Sequence, residues 1–368
     1  MTGGLRPASS RVMALTPSRT ETGFHQSYGP YVLKEWVHES HIVLVKNPFW
    51  PGIPSVPQAK IDEIVFRMLE DTAAFAEYEA GNLDVAGVPI GDIDRVKADP
   101  VLSKELYIAP VLCTYYYGFN TKAPIVDDVR VRRALSMAID RVALIENVLK
   151  GGQEPAQWFC RPGLTGCPTP KDYPDLGVKY NPEEAKRLLN EYLAEKGLKP
   201  EDLDLTLMFN VGVGHEKIAQ AIQQMWKETL GINVKLASQE WKVYLKTLRD
   251  PKATPQIWRL GWCQDYPDAN NFTREVFAFG GSSNPRDGGG VNWKNDKFEE
   301  LVLAAAKEMD PKKRVDLYAQ AEQILVYEDA VIAPIYWYTR VTCTKPYVKR
   351  TFSVLGGLEH IEKWDIVK

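Results

Sequence analysis

Two carboxylates, three aromatic rings and a cysteine lie together in one short run, GWCQDYPDANNF, at residues 261–272. Asp265 and Asp268 could form an acid/base pair, because retaining glycosidases hold two carboxyl groups about 5 Å apart. Pro267 lies between them, however, and the sequence Asp-Tyr-Pro-Asp is also typical of a turn. A catalytic loop, a metal loop, a turn and a binding site for a charged ligand therefore remain open as interpretations of this run.

No other cluster supports catalysis or metal binding. His38-Glu39-Ser40-His41 is one residue shorter than the zinc motif H-E-x-x-H, and it joins two predicted strands instead of lying on a helix. None of the five cysteines forms a C-x-x-C pair, and no G-x-S-x-G nucleophile motif occurs. We therefore expect no metal site, no cofactor and no enzymatic activity. The cysteines are Cys113, Cys160, Cys167, Cys263 and Cys343.

The composition is that of an ordinary globular protein, with 45% hydrophobic and 25% charged residues among 368. A net charge of -3 and the lack of a basic block argue against nucleic acid as a partner. No apolar run is long enough to span a bilayer. Residues 1–27 are polar and lack the apolar stretch of a secretory signal, so we expect a disordered or foreign leader there.

Hydrophobic periodicity predicts a mixed α/β fold. Alternation over 31–37 and 41–46 predicts a β-hairpin, and the strand–helix–strand order over 203–238 predicts a parallel pair with a right-handed crossover. One long helix is predicted from Asp127 to Gly151, followed by a surface loop or covering segment over 153–180. Further strands are predicted at 60–69, 113–121 and 330–343, and further helices at 71–78, 182–193, 296–307 and 311–328.

Five stretches in the same order resemble one family. They are YGPYVLKEW, LCTYYYGFNTKAP followed by DDVRVRRALSMAIDR, QEWKVYL, GWCQDYPDANNF and AEQILVYEDAVIAPIYWY. From about Tyr28 to Lys368 the chain resembles the C-terminal two-thirds of periplasmic oligopeptide-binding proteins, the peptide-binding cluster of ABC-transporter solute-binding proteins. The resemblance implies a type II periplasmic-binding-protein-like α/β fold, with two lobes that close over an extended peptide.

The resemblance also implies which residues bind the peptide. Asp265 matches the aspartate that holds the peptide ammonium, and Cys113 and Cys263 match positions that can carry a disulfide. The other implied ligand-binding residues are Trp262 and Trp241 as pocket walls, Tyr116 and Tyr338 as cleft tyrosines, Asn210 and Arg259 for the peptide backbone or C-terminal carboxylate, and His215 near the far end of the peptide. Cys160 and Cys167 could form a second, local disulfide.

The resemblance implies an incomplete first lobe, because members of the family carry more residues before the GPYVL strand. The sequence therefore predicts an N-terminally truncated chain, with lobe I partial over 28–112 and 340–368 and lobe II complete over 113–339. A first lobe that lacks strands is expected to expose sheet edges.

The implied function is capture of oligopeptides in the periplasm or cell envelope by a monomer that delivers them to an ABC permease in the membrane. Three alternatives remain open. One is binding of another solute, such as a dipeptide, a nickel complex or an oligosaccharide. The others are an Asp265–Asp268 hydrolase and an inert gene fragment. A free-amine requirement favours a peptide over a sugar, since a sugar has no ammonium group for Asp265.

Overall fold

A computed structural model describes residues 21–23, 27–353 and 359–367. The chain divides into two compact units. The first contains the residues up to Val88, together with Thr342–Ser353 and the residues from Glu359, and the second contains Pro89–Val341. The second unit begins at Pro89, whereas the sequence predicts that lobe II begins at residue 113. The assignment of lobes stays a prediction. Most of the predicted leader, residues 1–20 and 24–26, lies outside the described residues.

The elements alternate between strands and helices along most of the chain. The strands are β1 (Tyr31–Val37), β2 (His41–Lys46), β3 (Glu63–Arg67), β4 (Val85–Gly87), β5 (Leu106–Phe119), β6 (Glu154–Pro155), β7 (Leu205–Asn210), β8 (Val234–Gln239), β9 (Ile257–Cys263), β10 (Ile332–Thr344), β11 (Val348–Lys349) and β12 (Asp365–Ile366). The α-helices are α1 (Asp71–Glu79), α2 (Ile93–Ala98), α3 (Leu102–Glu105), α4 (Val129–Met137), α5 (Arg141–Leu144), α6 (Pro182–Lys196), α7 (Val213–Leu230), α8 (Trp241–Arg249), α9 (Glu275–Phe277), α10 (Asp296–Ala305) and α11 (Pro311–Gln323). Single π-helical turns cover Ile145–Leu149, Asn270–Arg274 and Ile324–Glu328, and short 3₁₀ turns cover Ile90–Asp92, Pro200–Asp202 and Ile361–Lys363.

The first unit is built on an antiparallel sheet in the order β1-β2-β3. The predicted hairpin is confirmed, and Glu39 takes a left-handed conformation (φ 61°) in its turn. Helix α1 buries Phe75 and Tyr78, whose rings stack at 6.0 Å. Strand β4 pairs with the last three residues of β10, and β11 pairs with β12.

The second unit is built on a sheet in the order β10-β5-β9-β7-β8, with β6 beside β10. Strands β7 and β8 are parallel and are joined through α7, as the sequence predicted. Because side chains alternate along a strand, β5 contributes side chains to two hydrophobic cores, one on each face of the sheet. Tyr115 and Tyr117 enter a core with α4, α6 and α7, whereas Leu112 and Tyr116 enter a core with α10 and α11.

The single long helix predicted after Asp127 is wrong. Helix α4 ends at Met137, and a new helix begins when the Asp140 side chain accepts a hydrogen bond from the Ala143 N–H. Arg141 is buried at this break, where its guanidinium donates to the carbonyl oxygens of Ser136, Ile139 and Pro334. In an unbroken helix, the carbonyl oxygens of Ser136 and Ile139 would accept hydrogen bonds from the helix backbone. The break leaves them available to the Arg141 guanidinium.

The helix starts with proline after a capping residue are confirmed. Asn181 accepts a hydrogen bond from the Glu184 N–H ahead of α6, and Asp310 accepts one from the Lys313 N–H ahead of α11. The segment over 153–180 is a covering segment and not a surface loop, since Trp158, Phe159 and Cys160 are fully buried.

Candidate functional site

Strand β9 places Arg259 in the middle of a polar cluster on one face of the sheet. Arg259 lies opposite Tyr117 in the β5–β9 register, and only 6% of it is exposed. Its Nη1 donates to Asn210 Oδ1 at 2.9 Å and its Nη2 donates to the Tyr338 hydroxyl at 2.6 Å. The guanidinium carbon lies 4.3 Å from the centre of the Tyr115 ring, a cation–π contact.

Arg259 has no acidic partner among the described residues, and its buried Nε has no hydrogen-bond partner there. Burial alone would lower the pKa of Arg259, but the oxygens of Tyr338 and Tyr115 outweigh it and leave that pKa above its ordinary value. The side chain is therefore a cation without a counterion. A buried charge of this kind is costly unless an opposite charge pairs with it, so the cluster is suited to a carboxylate.

His215 lies beside this cluster in the first turn of α7. Its Nδ1 is 3.4 Å from the Tyr115 hydroxyl, and the two rings are 5.7 Å apart. Burial and the nearby charge of Arg259 lower the pKa of His215 to about 3. The imidazole is therefore neutral near pH 7, and it adds a polar group without adding a second charge.

Gly261 and Tyr244 help to fix the position of Arg259, the first through Tyr338 and the second by direct hydrogen bonds. A Cβ atom on Gly261 would lie 2.7 Å from the Tyr338 hydroxyl, so only glycine at that position leaves Tyr338 room to reach Arg259. The Tyr244 hydroxyl accepts a hydrogen bond from the Arg259 N–H at 2.9 Å and donates to the Arg259 carbonyl at 2.6 Å. Trp241, in the same helix as Tyr244, is 45% exposed and its ring centre lies 6.3 Å from that of Tyr244.

A disulfide closes the other end of β9. Cys113 and Cys263 lie directly opposite in the β5–β9 register with a Cα–Cα distance of 4.2 Å, and their sulfur atoms are bonded. A second disulfide joins Cys160 to Cys167, and Cys343 is buried in β10. The first disulfide anchors the start of the loop that carries Asp265.

Asn271 organises that loop. Its Oδ1 accepts hydrogen bonds from Trp262 Nε1 at 3.2 Å and from the Asp265 N–H at 2.9 Å. Its Nδ2 donates to Asp265 Oδ2 at 3.2 Å and to Glu275 Oε2 at 2.9 Å. Asn271 is fully buried, whereas Asp265 is exposed and forms no ion pair with a described residue. The loop thus presents a carboxylate whose negative charge is not neutralised.

Asp268 is held differently. Both of its oxygens accept hydrogen bonds from Arg314, at 2.6 and 3.0 Å, and Oδ1 also accepts from the Asn270 N–H. One arginine thus holds both carboxylate oxygens, which is the geometry of a structural ion pair. Asp268 therefore has a structural role at the base of the loop.

Glu322 of α11 supports the loop from the second core. The carboxylate accepts hydrogen bonds from the N–H groups of Phe159 and Cys160 and from the Thr273 hydroxyl. Burial raises the pKa of Glu322 to about 7 despite these three donors. The contact connects the disulfide-bonded segment around Cys160 to the π-helical turn that follows Asp265.

Tyr116 does not join the cluster. It is fully buried on the opposite face of β5, its hydroxyl bonds to the Ser283 hydroxyl at 2.8 Å, and its ring packs edge-on against Phe159 and Trp258. Tyr116, for which the resemblance implied a place in the cleft, thus lies away from Arg259, and the alternation of the strand places Tyr115 beside Arg259 instead.

The structure thus forms two groups from the residues that the sequence singled out. Asn210, His215, Arg259 and Tyr338 contact one another directly or through Tyr115, whereas Asp265 and Trp262 are connected through Asn271. Sequence reasoning missed Tyr115, Tyr244 and Asn271. The sequence did contain a signal for Tyr115. If Cys113 lies opposite Cys263, strand alternation places the odd-numbered residues of β5 on the same face of the sheet as Arg259.

Metal-ligating clusters are not found among the described residues, where no group of three His, Cys, Asp or Glu side chains converges. His38 contacts Glu21 and His41 contacts Glu35, each as a separate pair. Residues 21–23, 27–353 and 359–367 also include no helix that is both long and apolar enough to cross a membrane.

Comparison with known protein families identifies the chain. Residues 21–284 match the model of the bacterial extracellular solute-binding proteins, family 5 middle region. The chain belongs to this family. Relatives in family 5 include the oligopeptide-binding protein OppA of Bacillus subtilis, which is 35% identical over 319 residues, and the periplasmic oligopeptide-binding protein OppA of Escherichia coli, which is 32% identical over 336 residues. These alignments cover 85% and 89% of this chain but only 56% and 58% of the relatives.

Solved structures of family 5 proteins confirm the predicted fold class. The murein tripeptide binding protein MppA of Escherichia coli superimposes with a TM-score of 0.81 at 31% identity, covering 96% of this chain and 67% of MppA. OppA of Haemophilus influenzae, in complex with the peptide RPPGFSPFR, superimposes with a TM-score of 0.80 at 27% identity, covering 97% of this chain and 68% of that protein. The prediction of a type II periplasmic-binding-protein fold is therefore confirmed.

Proposed function

We propose that this chain is the peptide-binding part of a solute-binding protein that captures short peptides for an ABC importer. The observation that carries the proposal is a pair of opposite charges, Arg259 and Asp265, that no described residue neutralises. A free peptide is a zwitterion with an ammonium group at one end and a carboxylate at the other. It would neutralise both side chains at once, with Arg259 holding the carboxylate and Asp265 holding the ammonium.

The spacing of the two charges suits a short peptide. Arg259 and Asp265 are six residues apart, and most of that distance is strand β9. At about 3.4 Å per residue their Cα atoms are separated by at most roughly 20 Å. An extended peptide of about three to five residues spans roughly 10–17 Å by the same measure, and the two side chains close the remaining gap. We therefore infer a preference for peptides of about this length.

Selectivity for the side chains of the peptide is expected to be low. Three partly exposed rings are available to the side chains of a peptide. Tyr338 is bonded to Arg259, Trp262 shares Asn271 with Asp265, and Trp241 lies in the helix that carries Tyr244. Flat aromatic surfaces and trapped water accept side chains of many shapes, so affinity would come from the peptide ends.

A binding role fits the loop better than a hydrolytic one. Asp268, the second carboxylate of the run, is tied to Arg314 through both oxygens, which leaves Asp265 without an acid/base partner. We propose that the chain is not an enzyme and that it works as a monomer in the periplasm or cell envelope. Delivery to an ABC permease belongs to the same proposal, and the names of the relatives, which include periplasmic binding proteins, support it.

Calorimetric titration of the purified chain tests the proposal. The ligands are trialanine, its N-acetylated form and its C-terminal amide. Trialanine is expected to bind, and each blocked form is expected to bind at least tenfold more weakly, because a charge-assisted hydrogen bond contributes about 1.5–3 kcal/mol. Asp265→Asn should remove the preference for the free amine, and Arg259→Gln should remove the preference for the free carboxylate.

Asp175→Asn is the matched control, since the Asp175 side chain is 97% exposed and its one ion pair within the described residues is with Lys179. This variant should keep both preferences. Equal affinity of the wild-type chain for trialanine and both blocked forms would refute the proposal. Cleavage of trialanine during the titration would refute the non-enzymatic role.

A further inference from the structure

Glu275 lies close to Asp265, because one amide group binds both side chains. The Asn271 Nδ2 donates to Asp265 Oδ2 at 3.2 Å and to Glu275 Oε2 at 2.9 Å. The two carboxylate oxygens that share this nitrogen are therefore at most about 6 Å apart. Asp265 and Glu275 are both exposed, whereas Asn271 is fully buried. A second carboxylate thus borders the group that is proposed to hold the peptide ammonium.

Three neutral donors hold the Glu275 carboxylate in place. The Tyr266 hydroxyl donates to Oε1 at 2.7 Å, and Asn270 Nδ2 donates to the same oxygen at 3.2 Å. Asn271 supplies the third hydrogen bond, to Oε2. These donors fix the position of the negative charge without neutralising it. A carboxylate that is already ordered loses little conformational entropy when a cation binds to it.

The arginines of this loop contact other groups. Arg274 donates to Asn270 Oδ1 at 3.4 Å, and Arg314 binds both oxygens of Asp268. Glu275 itself forms no ion pair in the described part of the chain, where its partners are the three neutral donors. The loop therefore presents two carboxylates, Asp265 and Glu275, that no cation of the described residues contacts.

The two ends of the proposed peptide site consequently carry unequal numbers of uncompensated charges. Arg259 is the single buried cation at one end, and the neighbouring His215 is neutral because its pKa is lowered to about 3. Asp265 and Glu275 are two anions at the other end. A peptide with uncharged side chains brings only one ammonium group to these two carboxylates. A basic side chain next to that ammonium would bring the second cation.

The first residue of a bound peptide has the required reach. The α- and ζ-nitrogens of lysine are separated by six bonds, which span roughly 7 Å when the side chain is extended. This span is close to the largest separation of the two carboxylate oxygens. Each later residue of an extended peptide starts about 3.4 Å farther from the ammonium group. A basic side chain is therefore best placed for Glu275 when it belongs to the first residue.

We propose that Glu275 is a specificity-determining residue of this site and binds the basic side chain of a lysine or arginine at the amino end of the peptide. This role rests on the proposed function, because Asp265 must hold the ammonium group for the first side chain to lie beside Glu275. The preference is modest, since the pair that forms is partly exposed. It adds a charge preference at one position to a site whose affinity comes mainly from the peptide ends.

Calorimetric titration with matched tripeptides tests the proposal. Lys-Ala-Ala is compared with Nle-Ala-Ala, because norleucine keeps the four-carbon side chain of lysine and lacks its amine. The wild-type chain should bind the lysyl peptide about fivefold more tightly, the gain of a partly exposed ion pair. Ala-Ala-Lys and Ala-Ala-Nle carry the same charge difference at the carboxyl end, and no preference for the lysine is expected there.

Glu275→Gln keeps the length of the side chain and removes its charge, so the preference for Lys-Ala-Ala over Nle-Ala-Ala should fall below twofold. A merely structural role of Glu275 would weaken both peptides equally and keep their ratio. Glu183→Gln is the matched control, since the Glu183 side chain is 85% exposed at the start of α6 and its ion pair is with Lys186. This control should keep the fivefold preference. If Glu275→Gln does not fold by circular dichroism, Tyr266→Phe replaces it, because it removes one donor to Glu275 and should at least halve the preference.

Three results would overturn the role of Glu275. They are equal affinity of the wild-type chain for the lysyl and norleucyl peptides, an equal gain from lysine at either end of the peptide, and a fivefold preference that persists in the folded variant. If trialanine binds no better than its N-acetylated form, the proposed function fails and the role of Glu275 fails with it. A preference for the free amine without a preference for lysine would overturn the role of Glu275 alone.

Discussion

The neutral state of His215 gives a prediction with a definite sign. Burial and Arg259 lower its pKa from 6.5 to about 3, so the folded protein keeps the imidazole neutral where the unfolded chain binds a proton. Stability is therefore fully present above pH 6.5 and is lost as the pH falls below it towards 3, because the unfolded state then binds more protons. Each pH unit in this window costs about 1.4 kcal/mol.

Between pH 7.5 and pH 5.0 the expected loss from His215 alone is about 2 kcal/mol, since pH 5.0 lies about 1.5 units below the unfolded pKa. Other groups titrate in the same range, and Glu322, whose pKa is raised to about 7, changes stability in the opposite direction. The difference between wild type and His215→Gln removes these shared contributions. Gln keeps a polar side chain of similar length that does not titrate.

The assay is urea unfolding of both proteins at pH 7.5 and pH 5.0, followed by tryptophan fluorescence. The free energy of unfolding of the wild type should fall by about 2 kcal/mol more than that of His215→Gln. An NMR titration of the His215 ring should show no protonation above pH 5. Parallel free-energy changes in the two proteins, or a ring that protonates near pH 6.5, would refute the reasoning.

Three further predictions concern strand β9 and its loop. Replacing Cys113 and Cys263 by serine removes a cross-link between residues 150 positions apart. The free energy of unfolding, measured in urea, should fall by about 3–5 kcal/mol. An unchanged urea midpoint would contradict this prediction. Asn271→Ala removes the acceptor of the Asp265 N–H. By calorimetry, trialanine should bind at least tenfold more weakly, whereas the affinity for N-acetylated trialanine should not change. An equal loss of affinity for both ligands would indicate a general structural effect instead. Arg259→Lys keeps the charge but loses the planar fork, so trialanine should bind at least tenfold more weakly than to wild type, and an unchanged affinity would show that charge alone suffices.

Local patterns predicted many of the elements and fewer of the contacts. The hairpin β1–β2 and the capped starts of α6 and α11 follow from alternation and from Asn or Asp before proline, which are signals within a few residues. The break between α4 and α5 does not, because it depends on carbonyl acceptors around Arg141, one of which, on Pro334, is distant in sequence. Hydrophobic periodicity alone predicts a single helix in this region.

The candidate site shows the same division. The family resemblance implied ligand roles for Asp265, Arg259 and His215, but which tyrosine faces Arg259 depends on the alternation of side chains along β5. The role of Asn271 depends on a π-helical turn that brings its amide back to the loop, and no local pattern in GWCQDYPDANNF predicts that geometry. Sequence therefore identified the charged groups, and tertiary structure decided which neighbours hold them.

Strand β9 explains how the two charges can stay unpaired and still be fixed in place. The Tyr244 hydroxyl holds the backbone of Arg259 at one end, and the Cys113–Cys263 disulfide holds the other end just before Asp265. Between them the ladder to β5 keeps the strand extended, so the separation of the charges is set before any ligand arrives. A peptide that binds both groups then loses conformational entropy itself, but the strand loses little because it is already ordered. The smaller entropy cost favours affinity that does not depend on the side-chain sequence of the peptide.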